Sequence, residues 1–234
     1  MKTTWIMALL AIFLLGCQNM EGFGGWPSDN DGSANNEGSM NQGVKQTLQL
    51  STDRATTNLS AEGAFNLPLP GVADDVARTL RQFGMGSYVD RVENAMNRGA
   101  EQAVAEAAPV FKQAIREMTV DNALAIITGP ETAATDYFRS RTESTLRGRF
   151  SPIVQDSLKQ TGFYDQYQSM LSAYNRLPLT NRPNLDLEDY VVTNSMNTLF
   201  EEIGTQEALI RADPLGQGSA LIGRIFSVMG TRQQ

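Results

Sequence analysis

Along most of this chain apolar residues recur at three- and four-residue intervals, the period of one face of an α-helix. Val44, Leu48, Ser51, Ala55 and Leu59 make the first such face. Asn66 to Gly71, with Pro68 and Pro70, breaks it, and Val72, Val76, Leu80 and Phe83 predict a second helix ending at Gly84 or Gly86. An Ala-rich helix follows from about Ser87, with Val89, Val92, Met96, Ala103 and Ala107 inward, and Pro109 predicts a kink or short break near Ala108. Thr119 reads as the N-cap of a helix from Val120 to Thr128, which Gly129-Pro130 ends. A long helix from about Thr132 carries Phe138, Leu146, Phe150, Ile153, Val154 and Leu158 and is interrupted at Pro152. Phe163 to Arg176 has the stripe Tyr164, Tyr167, Leu171 and Tyr174. Beyond the turn from Pro178 to Pro183, a helix from about Leu187 to Ala212 is closed by Asp213-Pro214. Ser219 to Met229 forms the last helix, with Leu221, Ile222, Ile225 and Phe226 apolar. No stretch alternates long enough to argue for a strand. The reading is all-α: one domain of about eight helices over residues 44–230, its long helices Pro-kinked, with a tail at 231–234.

The N-terminus follows a different pattern. Lys2 precedes an apolar run from Trp5 to Leu15, then Gly16 and Cys17. The run is much shorter than the roughly 20 residues a spanning helix needs, and no basic stop-transfer cluster follows. It reads as an export signal covering residues 1–16, removed on maturation. Leu14-Leu15-Gly16-Cys17 resembles the bacterial lipobox, which implies that Cys17 is acylated and becomes the first mature residue, anchoring the protein through several acyl chains. Cys17 is the single cysteine of the 234 residues, so an internal disulfide is ruled out and lipidation accounts for the thiol. By the sorting rule that comes with this resemblance, Gln18 in place of aspartate favours the outer membrane, facing the periplasm. Residues 18–43, rich in Gly, Asn and Ser without Lys or Arg, read as a disordered tether. Asp29-Asn30-Asp31-Gly32 lacks the later ligands of a calcium loop and belongs to that linker.

Charge narrows the partners. The formal net charge is −7, from 19 basic and 26 acidic side chains, and loss of Lys2 with the signal makes it −8. Such a surface repels nucleic acid and anionic headgroups, so no nucleic-acid partner is expected, and the lipid must supply the membrane attachment.

Histidine is absent. Serine triads, two-histidine zinc sites and Glu-x-x-His di-iron sites all need an imidazole, so none can be assembled, and neither a metal nor a cofactor is expected. No Ser-x-x-Lys occurs, and Gly218 to Gly223 has phosphate-loop spacing but is followed by Arg224-Ile225. Carboxylates come in neighbouring groups, Asp74 with Asp75, Glu201 with Glu202, and Asp186 with Glu188 and Asp189. Adjacent positions on a helix diverge by about 100°, so these read chiefly as solvated faces. Arg139, Arg141, Arg147 and Arg149 concentrate positive charge on one helix, either as a surface paired through Glu143 or as a contact for phosphate or an anionic glycolipid. Tyr164, Tyr167 and Tyr174 read as core, or, if that helix is exposed, as a surface for a partner or an apolar ligand.

Leu67-Pro68-Leu69-Pro70, Met96-Asn97-Arg98, Ala108-Pro109-Val110-Phe111, Ala133-Ala134-Thr135, Ser172-Ala173-Tyr174-Asn175, Leu187-Glu188-Asp189-Tyr190 and Ile210-Arg211-Ala212-Asp213-Pro214 together make residues 44–230 similar to the bacterial family called domain of unknown function 4197. The resemblance implies a helical exported or lipid-anchored protein and no particular activity. Gly216-Gln217-Gly218 departs from the usual form, where a basic, less flexible turn is expected. The functional expectation is a lipid-anchored envelope protein, not an enzyme, that binds another envelope component. A carrier of a lipid or other apolar ligand between helices is the alternative, and a carboxylate-dependent cell-wall hydrolase the third reading.

Overall fold

The computed structural model describes residues 37–178 and 187–230. The signal, Cys17, the tether as far as residue 36, most of the Pro-rich turn with Asp186, and the tail lie outside the described residues. The helices are α1 (Glu37–Leu59), α2 (Gly71–Gln82), α3 (Gly86–Glu117), α4 (Ala123–Ile127), α5 (Ala133–Gln160), α6 (Phe163–Tyr174), α7 (Glu188–Ala212), α8 (Pro214–Gln217) and α9 (Ala220–Gly230), and no strand occurs among the described residues.

Four of these are long, and they close a ring in which α1 packs on α3, α3 on α5, α5 on α7 and α7 on α1. Cross-helix contacts set their directions. Lys45 of α1 donates to the carbonyl of Arg116 while Lys112 pairs with Asp53, so α1 and α3 run antiparallel. Arg139 meets Asn197 and Arg147 meets Asp189, so α5 and α7 do too. The ring encloses the core. Phe111, Phe138, Phe150 and Phe200 meet there with centroids 5.7 to 6.3 Å apart, in edge-on and tilted arrangements that suit aromatic quadrupoles. Small residues let α3 and α5 approach closely. A Cβ on Gly99 would stand 2.7 Å from Leu158 Cδ2, which no side chain tolerates without movement.

Several boundaries depart from the sequence reading. Residues 37–43, read as tether, are the opening turns of α1. Their composition hides this because the helix is held from outside: Met40 packs against the core and Gly43 is buried under Ile225 of α9, whose Cδ1 would lie 2.1 Å from any Cβ there. A kink or short break is expected at Pro109 and an interruption at Pro152, but no break occurs at either, since α3 and α5 continue through both prolines. Both prolines are exposed, so the carbonyls of Ala105 and Gly148, which lose their helical donors, face water instead of the core. On α2 the buried stripe is Ala73, Val76, Ala77 and Leu80, whereas Val72 and Phe83 are about half exposed. The two alanines carry no long side chain to hold α2 away from α3, so they take the inner face. Finally, α4 is shorter than expected and is capped by Asn122, whose Oδ1 accepts from the Ala125 N–H at 3.0 Å. Thr119 lies in the preceding loop, where its carbonyl accepts from the Tyr137 hydroxyl.

The glycine-containing turn before α9 receives a basic group from elsewhere. Arg54 of α1 donates to the Gln217 side chain at 2.9 Å and to its carbonyl at 2.8 Å, and Ile222 and Ile225 of α9 are buried. At the other end of the bundle Tyr190 donates to the Pro68 carbonyl at 2.6 Å, tying α7 to the loop before α2, and burial pushes this hydroxyl above its ordinary range. Tyr190→Phe removes that bond alone, and a loss of about 1 kcal/mol is expected in urea unfolding.

Candidate functional site

The four arginines of α5 do not form one patch. Residues eight apart share a helix face and those two apart nearly oppose, so the set divides. Arg139 and Arg147 turn toward α7. Arg147 pairs with Asp189 and donates to the Thr193 hydroxyl at 2.8 Å. Arg139 makes two bonds to Glu143, at 2.9 and 3.2 Å, donates to Asn197 at 2.6 Å and lies 5.1 Å over the Phe200 ring. Arg141 and Arg149 turn toward the end of α3. They line a cleft of about 380 Å³ with Thr119, Thr142 and Thr145, and pair with Asp121 at 2.6 Å and Glu117 at 3.9 Å. The pairing through Glu143 therefore reaches Arg139 only, because α7 offers Arg147 a carboxylate of its own. The Arg139 bond holds the Glu143 carboxyl below its usual range. A depressed carboxyl contributes stability above its unfolded pKa and loses it as pH falls through the folded value, so this contribution fades in acid, and it is small because both side chains are solvated.

Arg139 stands at one end of a larger cleft between the first half of α5 and the second half of α7, about 640 Å³, lined by Glu131, Thr132, Thr135, Asp136, Phe200, Glu201, Gly204, Thr205 and Leu209. Gly204 sets its depth, since a Cβ there would meet Thr132 Cγ2 at 3.2 Å. Three carboxylates, Glu131, Asp136 and Glu201, face one cation already committed to Glu143. The cleft is therefore acidic, and at its far end Leu209 is 45% exposed. Its polar walls also carry the hydroxyls of Thr132 and Thr205.

A buried pair lies beneath the cleft and ties its walls together. Glu207 is fully buried. Its Oε1 accepts from the Ala134 N–H at 2.9 Å and from Arg211 Nε at 2.8 Å, and its Oε2 from the Thr135 N–H at 2.7 Å and the Thr135 hydroxyl at 2.6 Å. A carboxylate of α7 thus serves as the cap of α5, satisfying two of the amides that a helix start leaves unpaired and adding negative charge at its positive end. Arg211 in turn donates to the carbonyls of Ile126 and Ile127, each at 2.9 Å, closing the end of α4, and lies 4.6 Å over the Phe226 ring of α9. Four helices meet on this one pair. Sequence reasoning missed Glu207, although its four-residue spacing to Arg211 on an otherwise apolar face is a visible signal.

The tyrosines face inward. Tyr167 and Tyr174 are buried, Tyr167 stacked on Phe163 with centroids 5.8 Å apart, and Tyr164 donates to Glu188 at 2.8 Å. The paired carboxylates are engaged separately. Asp74 and Asp75 both pair with Arg78, and Glu202 accepts from Asn58 and Gln206. Among the described residues no group of His, Cys, Asp and Glu side chains is placed to hold a metal ion.

The stretches that carry the family resemblance meet in space. Ala133-Ala134-Thr135 joins Ile210-Arg211-Ala212 through Glu207, and Asn97 accepts the Leu67 N–H at 2.8 Å. The family model described as Protein of unknown function (DUF4197) matches residues 34–227, and the chain belongs to that family. No curated protein and no solved structure matches.

Proposed function

Starting from membership in that family, we propose that the chain is a non-enzymatic, lipid-anchored protein of the bacterial envelope, held at the outer membrane through Cys17. The α5–α7 cleft receives a basic segment of another envelope protein. The observation that carries the reading is the composition of the cleft, three carboxylates and an exposed leucine, which complements a segment with an apolar anchor between cationic residues. The anchor rests on the lipobox resemblance. No helix among the described residues is long and apolar enough to cross a membrane. The phenylalanines filling the bundle axis favour a surface binder over a carrier with an internal ligand.

The test is site-specific photocrosslinking in cells, with a photoreactive residue at Thr205 or Leu209 and a control at exposed Lys159. A discrete adduct from the cleft positions, absent at Lys159 and lost with Glu201→Lys, is expected. The same chain with Cys17→Ser should leave the membrane fraction. No adduct, or equal adducts from all three positions, overturns the binding reading, and unchanged membrane association of the Cys17→Ser protein overturns the anchor.

A further inference from the structure

A second cleft, remote in sequence from the first, lies where the loop after α1 crosses the middle of α3. It has a volume of about 640 Å³ and is lined by Glu62, Phe65, Asn66, Asn94, Asn97, Arg98 and Glu101. That size falls in the range of small-molecule sites, about 300 to 1000 Å³, and the lining combines amide and charged side chains with the ring of Phe65 and the backbone of Gly63.

Glu101 sets it apart from an ordinary loop anchor. It is only 6% exposed and no cation pairs with it among the described residues. Its Oε1 accepts from the Gly63 N–H at 2.8 Å and, more loosely, from the Phe65 N–H at 3.4 Å. No described group bonds to Oε2, and that oxygen is not sealed from solvent. A buried carboxylate ordinarily has its charge paired or its lone pairs filled. Here half of the group is spent on the loop and half is left facing the cleft. Asn97 is divided in the same way, its Oδ1 taking the Leu67 N–H while no described group accepts from its Nδ2. Asn66 and Asn94 add two more amides, each presenting a donor and an acceptor, and Arg98, paired with Glu62 at the solvent rim, adds a fork of donors.

Those groups fit one chemistry. A phosphate would be repelled by Glu62 and Glu101, and a cationic amine, though drawn to Glu101, would meet the Arg98 guanidinium and leave the donors of Asn66, Asn94 and Asn97 without acceptors. A saccharide offers neighbouring hydroxyls that donate and accept at once, which planar amides and a carboxylate meet in pairs. We infer that this cleft is a binding site for an uncharged saccharide, with Glu101 Oε2 accepting from its hydroxyls and the Asn94 and Asn97 amides bonding alongside. The site is separate from the α5–α7 cleft, so either proposal can fail without the other.

Titration of the full chain, with ¹⁵N-labelled side-chain amides observed by NMR, tests this using two probes, a trisaccharide of N-acetylglucosamine and maltotriose. Saturable shifts of the Asn94 and Asn97 amides and of the Gly63 N–H are expected. Response to both probes assigns recognition to ring hydroxyls, and response to the first alone assigns it to the N-acetyl group as well. Asn94→Leu touches no described partner and should keep the melting temperature while weakening binding about tenfold, the equivalent of one good hydrogen bond. Glu101→Gln keeps a carbonyl for the Gly63 N–H and should weaken binding at least as much. Should Glu101→Gln fail to fold, Asn94→Leu decides alone. No shift with either sugar through the low-millimolar range, or shifts unaltered by Asn94→Leu, overturns the assignment and leaves Glu101 as a loop anchor only.

Discussion

Glu207→Ala should destabilise the domain by about 3 to 5 kcal/mol, the cost of breaking a buried ion pair by removing one partner. Arg211 would stay behind, 10% exposed, with its guanidinium still directed at the α4 carbonyls and its Nε unpaired. At the same time the Ala134 and Thr135 amides and the Thr135 hydroxyl would lose their acceptor inside the protein. For a domain of this size the loss corresponds to a fall of about 6 to 20 °C in melting temperature. Glu207→Gln separates charge from shape. Both carboxylate oxygens accept from backbone amides, so whichever way the glutamine amide turns, its NH₂ faces another donor. Most of the loss is therefore expected from Gln as well, and a glutamine variant as stable as the parent would show that size, not acceptor capacity, is what the site needs. The variant should also loosen the α5–α7 cleft, read as faster exchange of the amides at the start of α5.

Phe111→Ala should cost a similar amount, about 3 to 5 kcal/mol, for a different reason. Phe111 is fully buried and touches three other phenylalanines, Phe138, Phe150 and Phe200, contributed by α5 and α7. Truncation removes the transfer energy of the ring and leaves a void that four rigid helices cannot close. The urea midpoint should fall while the slope stays the same, because the folded state loses packing without losing its extent. A rise in affinity for benzene in the variant would report that the void stays open and dry, as apolar cavities do. A loss below about 1 kcal/mol would mean that the bundle collapses around the gap, contrary to the close packing of protein interiors.

These two expectations rest on different degrees of legibility in the sequence. Phe138 and Phe150 stand on the stripe that periodicity assigns inward, whereas it does not single out Phe111 and Phe200, and most of the residues that it assigns to inner faces are buried, with Val72 and Phe83 the exposed exceptions. The α1 face from Val44 to Leu59 is buried throughout. Periodicity works here because each long helix buries one stripe against two neighbours. It fails where the stripe is supplied by small residues, as with Ala73 and Ala77 on α2, and where a helix is held by a remote partner, as Gly43 is by Ile225. The prolines leave α3 and α5 unbroken because both fall on the exposed side of their helices, and three to four residues of spacing do not settle which side that is until the neighbours are in place.

The candidate sites were less visible. The arginines of α5 stood out as one run of charge, yet Arg139 and Arg147 answer to α7 while Arg141 and Arg149 answer to the end of α3. Glu101 and Glu207 passed unremarked among 26 acidic residues, since composition cannot say which carboxylate is buried. Only packing distinguishes the two. Glu207 finds a helix start and an arginine, and Glu101 finds a loop and an open cleft.

By itself the sequence determined the helical class, the family and the expectation of lipidation at Cys17, because these depend on local periodicity, on turn residues and on short contiguous motifs. Tertiary structure alone decided which charged groups lie inside, which clefts exist and what they could hold. Those properties belong to groups far apart in the chain, such as Glu207 with Ala134 or Glu101 with Gly63, and a buried charge takes its character from the partners that the fold brings to it.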